Sequence, residues 1–242
     1  MNAPTDQPID IARLLAHEPK FIGLGPDKLA RLAAASRLIH AAKGRMLFRK
    51  GDPCTGIHVL IYGQVKLAFT SANGNEKIVE IVDQGQSFGE AIMLMDQPHA
   101  VFAQTLRDSF LLHVARQAVI DELEHDHDFC RKMLTSMAWR LNQLMSDVES
   151  YSLHSGKQRV IDYLLCKLPD RTPNDLPVVV PLQVSKGVLA SRLSLTQEHF
   201  SRILHELAEA GLIAVAGRNI HIPSVGRLRG QQAANGGDSR SR

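Results

Sequence analysis

From His127 to Leu153 the chain has neither proline nor glycine. Across this stretch Cys130, Leu134, Met137, Leu141, Leu144, Val148 and Tyr151 follow one another at spacings of 4, 3, 4, 3, 4 and 3 residues. That rhythm is the apolar seam of a coiled coil, held for just over three heptads. It predicts a long helix that starts at Arg116 or at His127, ends at Leu153, and is broken by His154-Ser155-Gly156. A helix that packs only on its own domain shows a wider apolar face. The narrow seam therefore points to self-association, most simply as a parallel twofold dimer through Leu134, Met137, Leu141, Leu144, Val148 and Tyr151, with packing inside the chain as the alternative.

Everything before the helix has a different texture. Residues 1–8 are polar and carry proline, so they are expected to be disordered. Ile9 to His17 and Pro26 to Ala35 read as short helices, the second with Leu29, Leu32 and Ala33 on one face. From Lys43 onward, Gly44, Gly51, Gly56, Gly63, Gly74, Gly85 and Gly89 punctuate runs rich in Ile and Val. Ile57, Val59 and Ile61 alternate with other residues, as do Val65, Leu67 and Phe69, and Asn73-Gly74-Asn75 is a hairpin signal. Short strands with glycine turns indicate an antiparallel roll or barrel, which spans residues 9–115 together with the short helices. The helical region is then 116–154.

The last third reads as a separate domain over 155–226, followed by a basic tail over 227–242 that is expected to be disordered. Lys157 to Leu168 forms a helix, Asp170 to Asn174 a loop, and Val178-Val179-Val180 a strand ending at Pro181. Ser185 to Arg192 suits a short helix, Leu193-Ser194-Leu195 a tight connection, and Thr196 to Ala210 a second helix stopped by Gly211. Two short helices joined by such a turn make a helix-turn-helix, whose second helix enters the major groove. Leu212 to Val215 and Asn219 to Ile222 flank Ala216-Gly217-Arg218, a hairpin that makes the domain winged. Thr196, Gln197, Glu198, Ser201 and Arg202 lie near the start of the second helix, off the apolar face of Phe200, Ile203, Leu204 and Leu207. Arg pairs with guanine, Glu accepts from cytosine and Ser bonds either way, so these side chains suit base edges; a solvated helix face carries the same types. Charge favours the first reading. From Lys157 onward there are 12 Lys and Arg against 7 Asp and Glu, a net of +5, whereas the preceding residues carry −2.

Other classes fit poorly. Cys54, Cys130 and Cys166 are far apart, which leaves no disulfide framework and no iron–sulfur ligand set. No apolar run is long enough to span a bilayer, and the N-terminus lacks the layout of a signal peptide, so a cytoplasmic protein without membrane attachment is expected. A metal-dependent cupin roll counted from Gly51 would need histidines at Ile57 and Val59, which are apolar, while His58 points to the other face. With no nucleophile–base set and no phosphate-cradling loop, an enzyme is not expected.

The order of helices, glycine-punctuated roll, seam helix and winged helix-turn-helix resembles the CRP/FNR superfamily of bacterial transcription regulators over about residues 14–226. The resemblance is carried by Gly51-Asp52, Ser87-Phe88-Gly89-Glu90 and Glu198-His199-Phe200-Ser201-Arg202-Ile203-Leu204. It implies an α+β fold: a cyclic-nucleotide-binding-like β-roll, a long dimerisation helix and a C-terminal winged helix-turn-helix. It also implies a homodimer on an inverted-repeat operator, in contact with RNA polymerase. Cyclic-AMP-binding members carry an Arg-Ser pair that neutralises the nucleotide phosphate, and here those positions are Ala100 and Val101. Cyclic AMP is therefore not the expected effector. The iron–sulfur cluster of FNR proper needs N-terminal cysteines, and none precedes Cys54.

Glu90 to Pro98 and Thr196 to Arg202 resemble the dissimilatory-nitrate-respiration (DNR) type, regulators that answer nitric oxide through haem. The implied effector pocket is Gly89, Glu90, Met93, Leu94 and Met95, although the last three serve equally as plain core. The implied operator is a TTGAT-N4-ATCAA-like repeat, since Glu198, Ser201 and Arg202 match the FNR-type reading helix and Gln197 replaces an arginine of the cyclic AMP receptors. A regulator of the same fold answering a cyclic nucleotide or another small ligand is the alternative. The resemblance names no axial ligand: a histidine suspected in DNR proteins is Arg192 here. His125-Asp126-His127 reads as a helix cap rather than a metal pair, and His199, His205 and His221 as surface residues of the DNA-binding domain.

Overall fold

A computed structural model describes residues 9–72, 74–169 and 171–236. The segment 1–8, Asn73 of the hairpin signal, Asp170 of the loop and the end of the tail, 237–242, lie outside the described residues. The chain divides into two units, one ending at Leu141 and one starting at Asn142, so the boundary falls inside the long helix rather than after it.

The first unit opens with helices α1 (Ile11–His17) and α2 (Pro26–Ala34). Asp10 caps α1 by accepting from the Arg13 amide, and Pro26 at the first position of α2 lacks only a donor that would have no helical partner anyway. Eight strands follow: β1 (Ser36–Ala41), β2 (Met46–Phe48), β3 (Gly56–Tyr62), β4 (Gln64–Thr70), β5 (Glu76–Asp83), β6 (Ser87–Phe88), β7 (Phe102–Thr105) and β8 (Ser109–Ala115). They form two antiparallel sheets ordered β1-β8-β3-β6 and β2-β7-β4-β5. One short helix, α3 (Glu90–Leu94), interrupts them. Gly56 has no room for a side chain, since a Cβ would stand 2.0 Å from the Val114 carbonyl oxygen. Gly89, at φ +99°, turns the chain into α3 in the left-handed region that favours glycine.

The alternation in β3 divides the interior into two cores. Ile57 and Val59 face a helical core with Leu15, Phe21, Leu32, Met93, Phe129 and Met133. Leu60 joins Phe48, Val65, Val82, Phe88 and Leu111 between the sheets. His58 points away from Ile57 and Val59, as the alternation predicts. Its ring stacks on Phe88 at 5.0 Å and meets the edge of His113, its cross-strand partner, at 4.9 Å. His99 stacks on Phe48 at 3.5 Å.

The long helical region is two helices, α4 (Arg116–His125) and α5 (His127–Leu153). Asp126 separates them. Its carboxylate accepts from the Phe129 amide at 2.8 Å and pairs with Lys28, which makes it the cap anticipated for this histidine-flanked residue.

The second unit holds the end of α5, then α6 (Gly156–Cys166), β9 (Val178–Pro181), α7 (Lys186–Arg192), α8 (Gln197–Glu209), β10 (Ala214–Ala216), β11 (Asn219–Ile222) and α9 (Val225–Gly236). Ser155 and Gln158 form a reciprocal capping box on α6. The wing is a three-stranded sheet, β10-β11-β9, whose turn holds Gly217 at φ +62°. One boundary needs correction. The tail expected to be disordered from 227 is helical to Gly236, because Val225 and Leu228 are fully buried and anchor α9.

Burial, reinforced by His113, His99 and Arg37, pushes the pKa of His58 from 6.5 down to about 3, and His99 and His113 shift in the same direction. The folded roll therefore holds His58 neutral. The stability that this neutrality supports is complete above pH 6.5 and is lost as pH falls from 6.5 towards 3, by about 1.4 kcal/mol per pH unit. The urea midpoint of the first unit should fall between about pH 7 and pH 4.5, and His58→Phe should flatten that slope. An unchanged slope in the variant would place the acid sensitivity elsewhere.

Candidate nucleic-acid interface and effector region

Helix α8 buries Phe200, Ile203, Leu204 and Leu207 and turns its opposite side to solvent. Thr196 is its N-cap: the hydroxyl accepts from the His199 amide at 3.2 Å. Gln197 leans back over α7, where a Cβ at Gly187 would meet its Oε1 at 2.7 Å. Glu198, Ser201 and Arg202 are exposed on the outer face, and none forms a hydrogen bond or ion pair among the described residues. Of the five side chains expected to read DNA, three thus point outward unengaged, one caps the helix and one packs on α7. Arg218, at the tip of the wing, is also exposed.

Two sides of α5 do different work. Phe129 and Met133 are buried in the first unit's helical core, and Met137 packs partly against it. On the other side Leu134, Leu141 and Val148 are 61–64% exposed, and Leu144 is 41% exposed. Of the six expected seam positions, two also make contacts within the chain: Met137 packs partly on its own core, and Tyr151 is half-buried with its hydroxyl donating to the Arg192 carbonyl at 2.7 Å. Met145, outside the predicted heptad positions, is exposed beside Leu141 and widens the stripe, while Trp139 is exposed on the opposite side of the helix. The exposed apolar face is therefore rotated part of a turn from the one predicted, because the first unit's helical core takes Phe129, Met133 and Met137 and Arg192 of the second unit takes Tyr151.

Glu90, the first residue of α3, is 2% exposed and held by groups distant in sequence. Lys20 and the Ser87 hydroxyl both donate to Oε1, and Arg140 of α5 reaches Oε2 at 3.5 Å. Arg140 also pairs with Glu80 and donates to the Ser87 carbonyl at 3.2 Å. Burial raises the pKa of Glu90, but Lys20, Ser87 and Arg140 together outweigh it and hold the carboxyl below its usual range. Two cations and two carboxylates thus balance one another.

Both oxygens of Glu90 are engaged within the protein, and Ala100 and Val101 offer no side-chain donor to a phosphate. Of the expected pocket residues, Met93 is fully buried in the helical core, whereas Leu94 is 37% and Met95, the C-cap of α3, 58% exposed. Two surface clefts lie elsewhere in the unit. One of about 390 Å³ runs between β1 and β2, lined by Arg37, His40, Arg45 and Met46, and one of about 520 Å³ lies beside α1, lined by Ile9, Arg13, Leu14, His17 and Ile61. Among the described residues no group of three or more His, Cys, Asp or Glu is placed to hold a metal ion.

Sequence reasoning missed Lys20 and Arg140 as partners of Glu90, and Glu80 as the second partner of Arg140. The separations of 70, 50 and 60 residues leave no local signal. Lys20→Ala should lower the stability of the first unit by about 3 kcal/mol in urea unfolding, since it strands a buried carboxylate. Arg140→Ala, at the more exposed side of the cluster, should cost less. Equal and negligible losses would show that water already compensates Glu90.

Residues 38–126 match the family described as cyclic nucleotide-binding domain, and residues 158–230 match the Crp-like helix-turn-helix domain. The cyclic AMP receptor protein of Thermus thermophilus is 24% identical over 211 residues, 87% of this chain and 94% of that protein. The solved sensor domain of the transcriptional regulator DNR from Pseudomonas aeruginosa is 32% identical, covers 55% of this chain and 90% of its own, and superposes with a TM-score of 0.50. FixK2 from Bradyrhizobium japonicum, 22% identical over 81% of this chain and 96% of its own, shares the fold with a TM-score of 0.67. With both family matches in this order along one chain, and with regulators rather than enzymes as its relatives, the chain belongs to the CRP/FNR superfamily of DNA-binding transcription regulators.

Proposed function

We propose that the chain acts in the cytoplasm as a homodimeric regulator that reads a TTGAT-N4-ATCAA-like inverted repeat, contacts RNA polymerase, and answers nitric oxide to control genes of denitrification or related nitrogen-oxide respiration. The observation that carries the DNA reading is the outer face of α8, where Glu198, Ser201 and Arg202 are exposed and unengaged while four apolar residues hold the helix down. An arginine so placed pairs bidentately with guanine, and Glu198 accepts from cytosine. Arg218 at the wing tip is suited to phosphate. Dimerisation is supported by the stripe of Leu134, Leu141, Met145 and Val148, apolar area of a kind that single chains rarely leave in water. Arg37, His40, Lys43, Arg45, Arg49 and Lys50, all exposed around β1 and β2, give polymerase an electropositive face. No helix among the described residues is long and apolar enough to cross a membrane.

The effector reading rests on the resemblance to the DNR type, with the likeness to the DNR sensor domain beside it. The cleft beside α1 supports it: Ile9, Leu14 and Ile61 give apolar walls, Asp10, Glu18 and Gln84 complete a polar side, Arg13 would offer a cation to propionates, and His17, whose Nδ1 bonds to the Arg13 carbonyl at 2.7 Å, would offer Nε2 to iron. Bound there, haem would supply an iron at which nitric oxide coordinates. A cyclic nucleotide is the second reading, favoured by the match to the cyclic nucleotide-binding family, and calorimetric titration with cyclic AMP separates the two.

Fluorescence anisotropy of a labelled TTGAT-N4-ATCAA duplex with anaerobic, haem-loaded protein tests the proposal. Tight binding only with nitric oxide is expected; tight binding regardless would keep the operator and remove the gas sensor. Arg202→Ala should cost about 1–3 kcal/mol on this duplex and relax base preference at one position per half-site. A uniform loss on all DNA would make Arg202 a phosphate contact. Leu141→Asp should abolish dimerisation in sedimentation and operator binding together, and normal operator affinity in that variant would refute the dimer.

A further inference from the structure

In the second unit, the turn that leads into α8 is held by two arginines. Arg192, the last residue of α7, donates through Nη2 to Asp147 at 2.7 Å and through Nη1 to the Tyr151 hydroxyl at 2.5 Å. The Tyr151 hydroxyl in turn donates to the Arg192 carbonyl at 2.7 Å, which closes a ring of hydrogen bonds on one residue. That carbonyl is among the last of α7, where a helix leaves its acceptors without internal partners. Asp147 and Tyr151 are four residues apart on α5 and share a face, and a planar guanidinium fork can meet both at once where an ammonium cannot.

The next two residues are held from the other side. Arg159 of α6 donates to the Leu193 carbonyl at 2.7 Å and to the Ser194 carbonyl at 3.3 Å, and its guanidinium lies 5.9 Å from the Tyr151 ring centroid. Ser194 has φ +56°, a left-handed conformation that is unfavourable for a residue with a side chain and persists only where its surroundings impose it. Two residues later Thr196 caps α8.

We infer that Arg192 and Arg159 are positioning residues that lock the helix-turn-helix turn to the C-terminal part of α5, so that the direction in which α8 presents Glu198, Ser201 and Arg202 is set by the helix that carries the apolar stripe. Asp147 lies beside Val148 of that stripe, so a rotation of α5 about its axis moves the anchor of the turn. None of these residues needs to touch DNA. In a dimer, the lock determines how far apart and at what angle two reading helices stand, and therefore which half-site spacing is accepted. This consequence rests on the proposed DNA reading; the lock itself does not.

Two measurements on the full chain test it. Amide hydrogen exchange of the free protein at residues 193–195 should speed up about tenfold in Arg192→Ala and Tyr151→Phe, the loss of a charge-assisted or buried hydrogen bond, with Arg192→Lys intermediate. Unchanged exchange in all three would overturn the lock, whatever the DNA result. For the second measurement, wild-type protein selects duplexes from a random pool, and the winners are remade as a single half-site and with the half-sites one base pair closer or farther. Arg192→Ala should keep half-site affinity within about twofold while losing about tenfold of the discrimination between spacings. Equal losses on half-site and full site would overturn the positioning role and make Arg192 part of the reader's own surface. A wild-type protein that enriches no duplex would overturn the DNA reading, and with it the spacing consequence, while the exchange result still decides the lock.

Discussion

One helix has to satisfy three demands at once, and most of the structure follows from how α5 divides them around its circumference. Phe129, Met133 and Met137 serve the core of the first unit. Asp147 and Tyr151 serve the turn before the reading helix. What is left over, Leu134, Leu141, Met145 and Val148, is exposed. A helix has about 3.6 residues per turn, so a face given to one task is withdrawn from the others. The exposed stripe is thus narrow because the neighbouring faces are taken, and narrowness is what a two-helix seam needs.

The sensor region shows the same economy in charge. A buried carboxylate is tolerable only when opposing charge and hydrogen bonds replace the water it has lost. Glu90 meets that condition with Lys20, Ser87 and Arg140, and Arg140 brings α5 into the cluster. The cluster is complete without a ligand, so an effector that used Glu90 would have to displace a cation already paired there. Ala100 and Val101 add no side-chain charge to the region, and the polar groups around Glu90 are spent on holding the roll to α5.

Much of this could be read without coordinates. Local patterns carried the strands, the two helices of the reader, the Gly211 stop and the wing, because their determinants lie within a few residues: alternation in β3, glycine at turns, a threonine cap before α8. The helix over 127–153 was legible as a helix, but not that Met137 packs on its own core or that Tyr151 bonds to Arg192. Periodicity reports that a residue is apolar and how it is phased, but not which of two neighbours buries it. For Met93, Leu94 and Met95 the pattern is silent for a related reason: an apolar triplet at the end of a five-residue helix has no period long enough to show which side is core. The helix α9 is not marked by its pattern because its composition is polar, and among the described residues Val225 and Leu228 are the buried apolar ones that anchor it.

By itself, then, the sequence determined the element order, the α+β class, a helix-turn-helix whose second helix has Glu198, Ser201 and Arg202 on its exposed face, and the family those features mark. These depend on interactions along a few residues of chain, where pattern and propensity act directly. Only the tertiary structure decided that Glu90 is neutralised by Lys20 and Arg140, that Gln197 lies on α7 rather than outward, and that Arg192 and Arg159 grip the turn before α8. Each of those contacts joins groups whose pairing depends on distance and burial in three dimensions, quantities that a one-dimensional pattern does not contain.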